Sequence, residues 1–166
     1  QPGCGDRGAD AMSDSQWQPH VVVAAVVERD NRFLIVEERI NGDLRLNQPA
    51  GHWEQGETLI QGVVRETLEE SAWDIEVTQF LGVYEWQPPA LGYPFVRFAF
   101  VGKALRHHPE LTLDDGIERA VWMSEEELKA CRPIHRGPSV LKCIADYRAG
   151  RFLPLHAIQH LVDEHP

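Results

Sequence analysis

Cysteine is scarce in this sequence, and the few cysteines present form no pattern. The three are Cys4, Cys131 and Cys143; no two of them make a CxxC pair, and an odd thiol is left over. This usage argues against a disulfide framework and against a cysteine-ligated zinc site. Free thiols fit a reducing compartment, so the sequence predicts a cytoplasmic protein.

Long hydrophobic runs are also missing. No window holds eighteen consecutive apolar residues, and the first residues lack the charged-then-apolar order of a signal peptide. We therefore predict neither a membrane segment nor secretion. Residues 1–16 are rich in glycine and polar side chains, and we expect them to form a flexible tail before the fold.

Positive charge is in short supply. The chain has 16 Lys and Arg against 26 Asp and Glu, a formal net charge of -10. Duplex nucleic-acid binding draws on clustered Lys and Arg, and those present here are scattered, so we exclude that class of partner. Acidic clusters instead suit cations, through which a phosphorylated small molecule can bind.

What is present fits one folded unit. We predict a single domain over residues 17–166, since a chain of 166 residues fills one core. VVVAAVV and RFLIVEE predict two strands joined at Asp30-Asn31, and Thr58 with Gln61 forms a capping box that predicts a helix start. Later strands alternate with helices that begin after Ser124 and at Pro138. This order indicates a mixed sheet covered by helices, in the α/β (α+β) class.

The predicted first helix concentrates carboxylates on one face. Glu66, Glu69 and Glu70 stand at positions i, i+3 and i+4, which brings their side chains towards a shared point. Like charges at this spacing oppose helix formation by roughly 0.2–0.5 kcal/mol per pair. Two interpretations stay open on these residues alone: a solvated acidic face relieved by Arg65, or a cation site. Oxygen ligands without histidine or cysteine favour magnesium or manganese over zinc.

A longer motif contains these glutamates. Residues 51–73, GHWEQGETLIQGVVRETLEESAW, resemble the Nudix box, in which Gly, Glu, Arg-Glu and Glu-Glu recur at fixed spacing. The matching positions are Gly51, Glu57, Arg65, Glu66, Glu69, Glu70 and Trp73. Two positions depart from the pattern. Thr67 stands where an aliphatic residue is usual, and Ala72 replaces the glycine that usually closes the helix, so we expect a different cap there.

The resemblance implies a fold and a chemistry. It implies a Nudix-type α/β/α sandwich with a mixed sheet, and a hydrolase of phosphoanhydrides that depends on magnesium, with manganese as a substitute. It assigns catalysis to Glu66, Glu69 and Glu70, and it makes these three and the carbonyl of Ala50 the metal ligands.

The same resemblance assigns supporting roles and a substrate class. Gly51, and an ion pair between Glu57 and Arg65, are expected to fix the loop against the helix. NQPAGH and RGPSVLKCIADYRAG resemble the NudJ-type phosphatase branch, over about residues 19–161. That branch is associated with removing orthophosphate from nucleoside tri- and diphosphates and from the pyrophosphate of a thiamine pyrimidine precursor.

Four further residues are substrate-facing candidates, each with a plainer alternative. Many relatives carry an extra carboxylate where this chain has Gly116, so Asp115 or Glu118 is a candidate base, as is Glu66; both flanking residues are equally well interpreted as ordinary loop residues. Trp53 is expected either to stack on a ring or to lie in the core. Arg97 is expected to reach a phosphate or to form a surface ion pair.

Three rival functions stay open. One is a Nudix pyrophosphohydrolase that cleaves ADP-ribose or a dinucleotide, and another is a binding module without catalysis, although all four box glutamates are present. The third is an isomerase that uses a cysteine near the site. For assembly we expect a monomer or a small homo-oligomer.

Overall fold

The computed structural model describes residues 17–163, so the predicted tail over residues 1–16 lies outside the described part. Seven strands form: β1 His20–Arg29, β2 Arg32–Ile40, β3 Asp43–Asn47, β4 Ala50–His52, β5 Trp73–Trp86, β6 Phe95–His107 and β7 Ile117–Met123. Three α-helices accompany them: α1 Leu59–Ser71, α2 Glu125–Ala130 and α3 Ser139–Arg148. Short 3-10 helices span Arg132–Ile134 and Leu155–Ala157.

The sheet is mixed, as predicted. Its main order is β3-β2-β1-β6-β5, with β4 paired to β1 and β7 paired to β2. The pairing of β1 with β6 is parallel, and the other strand pairings are antiparallel. The predicted turn joins β1 to β2, where Asp30 and Asn31 both adopt positive φ, as a two-residue hairpin turn requires.

Helices cover both faces of the sheet, so the predicted α/β/α sandwich is confirmed. On one face Val23, Ala25 and Val27 of β1 pack in a core with Val63 of α1. On the other face Val26 packs in a core that includes Val140 and Ile144 of α3 and Leu128 of α2. Alternate residues of β1 therefore point to opposite helices, because successive strand side chains face opposite sides of a sheet.

The ends of α1 are set by local chemistry. Thr58 Oγ1 accepts from the amide of Gln61 at 3.0 Å, and Gln61 Oε1 accepts from the amide of Thr58 at 2.8 Å, so the predicted capping box is present. At the other end the expected change of cap does not occur. Ala72 itself takes the left-handed conformation, with φ 58° and ψ 23°. Within residues 17–163, no helix is long and apolar enough to cross a membrane.

Candidate active site

The loop before α1 comes so close to the helix that it requires a glycine. Gly51 lies in β4, and a Cβ atom built on it would overlap the carboxyl group of Glu66. Glu66 is 8% exposed, so its carboxylate is confined between the helix and β4. Because glycine has no side chain, Gly51 leaves room for the Glu66 carboxylate.

Arg65 links the loop to the helix. Its guanidinium donates from Nε to Glu57 Oε2 at 2.9 Å and from Nη2 to Glu57 Oε1 at 2.8 Å, which is the expected ion pair in bidentate form. Nη1 also donates to Glu66 at 2.8 Å and to Glu69 at 3.1 Å. Nη2 reaches the carbonyl of His52 as well, at 3.1 Å. One cation thus positions three carboxylates.

A third chain segment supplies a carboxylate that the sequence did not single out. Oxygen atoms of Glu66, Glu69 and Asp114 lie within 4.8 Å of one another. The backbone amide of Asp114 donates to the carbonyl of Glu69 at 3.0 Å, which docks the loop before β7 on the end of α1. The two candidates named for this loop lie elsewhere: Asp115 is exposed outside the cluster, and the Glu118 carboxylate is held by Arg39.

Glu70 faces a different partner. It is 7% exposed, and its Oε1 accepts from the backbone amide of Ala50 at 2.7 Å. Burial raises the pKa of Glu70 to about 8; the Ala50 amide opposes this rise, and the negative charges of Glu38, Glu66 and Asp114 add to it. The carboxylates around Glu70 therefore carry more negative charge than the nearby cationic side chains neutralise.

Glu66 shows the same imbalance. Burial raises the pKa of this carboxyl; the Arg65 contacts oppose the rise, and the charges of Glu69 and Asp114 increase it. Three carboxylates that converge within 4.8 Å supply only oxygen ligands. Such a set fits a hard divalent cation, whose charge would relieve the crowding.

A cavity of about 200 Å³ opens beside this cluster, on the far side of β4. Its walls come from β1 to β6 and from the segment before α3: Val22, Glu38, Asn47, Ala50, Gly51, His52, Tyr84, Trp86, Phe95, Arg97, Arg136 and Ser139. Ala50 and Gly51 belong both to the cavity wall and to the surroundings of Glu66 and Glu70. The cavity and these two glutamates therefore have Ala50 and Gly51 as common neighbours, although neither Glu66 nor Glu70 lines the cavity.

Arg97 lies in the wall of this cavity and makes no surface ion pair. It is 7% exposed, and it donates to Gln48 Oε1 and to Asn47 Oδ1, both at 3.0 Å. These neutral acceptors hold the guanidinium without cancelling its charge. Burial lowers the pKa of Arg97, and the nearby negative charges of Glu38 and Glu70 oppose this, so the guanidinium is a cation with acidic neighbours in the cavity wall.

The aromatic candidates divide between surface and cavity. Trp53 is 45% exposed, which excludes the core alternative, and its indole Nε1 donates to the carbonyl of Glu57 at 2.9 Å. Tyr84 and Trp86 of β5 both line the cavity, although Tyr84 also packs on the core below it. Trp86 and Phe95 stack with ring centroids 6.2 Å apart.

Comparisons with known proteins agree with this geometry. A family model described as the NUDIX domain matches residues 18–142. The chain belongs to the Nudix family. It is 37% identical to Phosphatase NudJ of Escherichia coli K12 over 142 residues, which are 86% of this chain and 92% of that protein.

Solved Nudix structures share the fold. A NUDIX hydrolase from Nitrosomonas europaea matches with a TM-score of 0.85 and 43% identity, over 87% of this chain and 98% of the other. A MutT NUDIX hydrolase from Burkholderia pseudomallei matches with a TM-score of 0.66 and 23% identity, over 78% and 98%, which supports the fold alone. The chain is thus a Nudix hydrolase that acts on phosphoanhydrides.

Of the two cysteines within residues 17–163, Cys131 and Cys143, the one close to the cavity does not support the isomerase alternative, and Cys4 lies outside the described residues. Cys143 lies close to the cavity, against Arg97 and Tyr84, yet it is completely buried. Burial raises the pKa of its thiol, which keeps it protonated. A protonated, enclosed thiol is a poor nucleophile for a ligand in the cavity.

Several residues of this Nudix site were missed from the sequence. Asp114 was passed over because only Gly116 and its neighbours were compared with the family pattern. Glu38 follows the apolar run of β2 and stands between Glu37 and Arg39, so its local pattern is that of a charged strand end. His52 also lines the cavity, with its Nε2 2.8 Å from His20 Nδ1.

Proposed function

We propose that this Nudix hydrolase is a magnesium-dependent phosphatase that removes orthophosphate from nucleoside tri- and diphosphates and from the diphosphate of a thiamine pyrimidine precursor. The observation that carries the proposal is the acidic cluster of Glu66, Glu69 and Asp114 beside a small cavity. The likeness to Phosphatase NudJ along 92% of its length supports the phosphatase branch. A cytoplasmic location and a monomer or small homo-oligomer remain part of the same proposal.

The metal is proposed to lie among the carboxylates of α1. Glu66 and Glu69 would hold it, and Glu70 and the carbonyl of Ala50 would complete the set of oxygen ligands. Bound there, magnesium or manganese would neutralise charge on the phosphoryl oxygens and polarise a water.

The protein's own residues have separable tasks. Arg65 holds Glu57, Glu66 and Glu69 in place through four guanidinium hydrogen bonds, so the carboxylates are oriented before substrate arrives. Asp114 is exposed on a loop and sits next to the proposed metal ligands, so its carboxylate is our candidate to accept the proton of the attacking water. Arg97, held in the cavity wall by two neutral amide oxygens, attracts the substrate's phosphate chain. Trp53 is exposed and does not line the cavity.

Cavity size favours a small substrate over a dinucleotide. A volume of about 200 Å³ lies below the ~300–1,000 Å³ that drug-sized ligands occupy. One ring with a short phosphate chain suits this space better than ADP-ribose or a dinucleotide, which carries two nucleoside halves. The rival pyrophosphohydrolase is therefore less well supported.

The test is a panel of phosphorylated compounds: nucleoside tri- and diphosphates, ADP-ribose, a dinucleoside polyphosphate and the thiamine pyrimidine diphosphate. Orthophosphate and pyrophosphate are measured separately, with magnesium, with manganese and with chelator. We expect orthophosphate from the nucleotides and the pyrimidine compound, and none with chelator.

Two variants make the panel specific. Asp114→Asn keeps the size of the side chain and removes the proposed proton acceptor, so it should slow release by about 100-fold or more. Glu76→Gln changes an exposed glutamate on β5 away from the site and should leave the rates unchanged. Nucleoside monophosphate and pyrophosphate as the main products would favour the rival hydrolase. No release by a folded protein that binds magnesium would favour the binding module.

A further inference from the structure

One wall of the cavity is built from two neighbouring cross-strand pairs. Trp86 lies opposite Phe95 in the register of β5 with β6, Tyr84 lies opposite Arg97, and all four line the cavity. They share a face of the sheet because side chains two residues apart on a strand point to the same side. The first pair is aromatic, with ring planes 23° apart, and the second brings a guanidinium. The wall therefore combines a flat apolar surface with a positive charge.

The Trp86 ring occupies the space that a side chain at Gly137 would need. A Cβ atom built on Gly137 would lie 2.6 Å from Cζ3, 2.8 Å from Cη2 and 3.1 Å from Cε3 of the Trp86 indole. Carbon atoms pack at ~3.5–4.0 Å, so even a methyl group would overlap the ring. The position of Trp86 therefore depends on the absence of a side chain in the segment before α3.

Backbone conformation does not explain this glycine. The φ angle of Gly137 is outside the left-handed range that other residues avoid, so an alanine would fit the local backbone. The three atoms nearest to the built Cβ all belong to Trp86. Contact with the cavity wall is therefore the physical reason for a glycine at this position.

The backbone around Gly137 is held in place. The amide of Arg136 donates to the carbonyl of Leu46 on β3 at 2.8 Å, and the carbonyl of Gly137 accepts from the amide of Val140 at 3.3 Å. Val140 is completely buried in the core. Trp86, by contrast, is a half-buried side chain beside an open cavity. A methyl group at position 137 would therefore displace the indole more readily than the backbone.

We propose that the substrate's ring stacks on Trp86, and that Gly137 is a positioning residue that determines where this ring-binding surface lies. The proposal rests on the proposed function, since it places the ring of a nucleotide or of the thiamine pyrimidine compound in the cavity. Stacking on an aromatic side chain depends on the flat face of the ring and little on its hydrogen-bonding groups. The surface therefore selects ring-bearing phosphates as a class, and Arg97 on the same wall is left for the phosphate chain.

Two ligands that cannot be cleaved measure the contribution of the ring. Cytidine α,β-methylene diphosphate carries a ring, and methylenediphosphonate has the same P–C–P unit without one. A methylene group replaces the bridging oxygen in both, so neither is hydrolysed. Each is titrated calorimetrically into the full chain with magnesium. Trp86→Ala should weaken binding of the cytidine compound by about tenfold or more and leave binding of methylenediphosphonate unchanged.

Gly137→Ala should weaken the cytidine compound in the same selective way, because the methyl group moves the indole. Gly92→Ala is the matched control, since Gly92 has neither a left-handed φ nor an atom within 4 Å of a built Cβ. Trp86→Phe keeps an aromatic face and removes the larger indole, so its own loss should be smaller than that of Trp86→Ala. In the Trp86→Phe background, Gly137→Ala should have little further effect. This non-additivity is specific to two residues in contact.

The outcomes separate this inference from the proposed function. Equal losses for the two ligands in Trp86→Ala, or undiminished binding of the cytidine compound, would overturn the role of Trp86. Additive losses from Gly137→Ala and Trp86→Phe would overturn the positioning role of Gly137. Orthophosphate release from CDP is measured separately: no release together with ring-selective binding would overturn the phosphatase and leave this inference standing. Thermal melting checks that each variant is folded, and if Gly137→Ala is not, the two Trp86 variants still decide whether the ring stacks there.

Discussion

The helices α1 and α3 cover opposite faces of the same sheet, and each buries acidic side chains in a different electrostatic setting. On α3, Asp146 accepts from Lys142 at 2.7 Å and from the Tyr84 hydroxyl at 2.9 Å. Burial alone would raise the pKa of Asp146, but these hydrogen bonds and the charges of Lys142 and Arg151 outweigh it, and the pKa is lowered. On α1, burial prevails and the pKa of Glu70 rises to about 8.

The difference distinguishes a structural carboxylate from a functional one. Asp146 has its counter-charges within the fold, so it needs nothing from solution. Glu66 and Glu69 share the guanidinium of Arg65, which also binds Glu57, and within residues 17–163 no Lys or Arg side chain donates a hydrogen bond to Glu70 or Asp114. The acidic side of α1 therefore suits a cation from solution. Without that cation, repulsion among the carboxylates destabilises the folded protein.

The largest effect should come from Glu70→Gln. The amide keeps the size of the side chain and removes a charge from the proposed metal ligands, so turnover should fall by more than the ~10–100-fold typical of residues that only orient a ligand. Phosphate release and magnesium binding by calorimetry measure the two consequences. Near-normal turnover would show that Glu70 on α1, like Asp146 on α3, serves stability and does not bind the metal.

Gly51→Ala should also damage activity, by roughly 10–100-fold. The new methyl overlaps the Glu66 carboxyl group and forces it out of the cluster. Gly92→Ala is the matched control, because a Cβ there meets no atom within 4 Å. Rates that are equal in the two variants would show that the position of Glu66 does not matter.

Asp146→Asn should act on stability rather than on chemistry. It removes the charge that Lys142 and Arg151 bind, so the free energy of unfolding should fall by about 1–3 kcal/mol, with the magnesium requirement unchanged. Urea unfolding measures the first and a magnesium titration of the rate measures the second. If Asp146→Asn lost the magnesium response and kept its stability, Asp146 would be a functional carboxylate and our interpretation of α3 would be wrong.

The stability of the metal-free protein should decrease as pH rises, because the pKa of Glu70 is raised in the folded state. A carboxyl whose folded pKa is about 8, against 4.5 as the ordinary value, stabilises the fold fully below the lower pKa, and this contribution is lost as pH rises through about 8. With chelator, Tm should therefore fall between about pH 4.5 and about pH 8. Glu70→Gln should flatten that slope. A Tm that rises over this range in chelator would contradict the assignment.

The smallest effect concerns how the two helices end. The left-handed residue after α3 is Gly150, with φ 68°, whereas after α1 it is Ala72. Ala72→Gly should relieve the left-handed strain and stabilise the fold by about 0.5–1 kcal/mol, after the added entropy of the unfolded chain is subtracted. Ala149→Gly, at a right-handed position, should destabilise by a similar amount. Thermal melting compares them.

Local signals predicted the secondary structure well. The capping boxes at Thr58 and Ser124 mark real helix starts, and the turn at Asp30-Asn31 joins β1 to β2, because these features depend only on residues close in the chain. The prediction failed at Ala72, where the sequence departs from the family glycine. The backbone keeps the left-handed cap there because the carbonyl of Ala72 accepts from His108 at 2.8 Å, a contact made across the fold.

Residue spacing was enough to predict the Nudix family, the mixed sandwich, the acidic face of α1 and the pairing of Glu57 with Arg65. These features depend on one helix and its adjoining loop, where distance along the chain sets distance in space. Folding was needed to bring Asp114 to Glu66 and Glu69 and to place Arg97 and Glu38 in a cavity wall. Those relations join segments that are dozens of residues apart, and the packing of the strands and helices, which no local pattern encodes, decides which side chains meet.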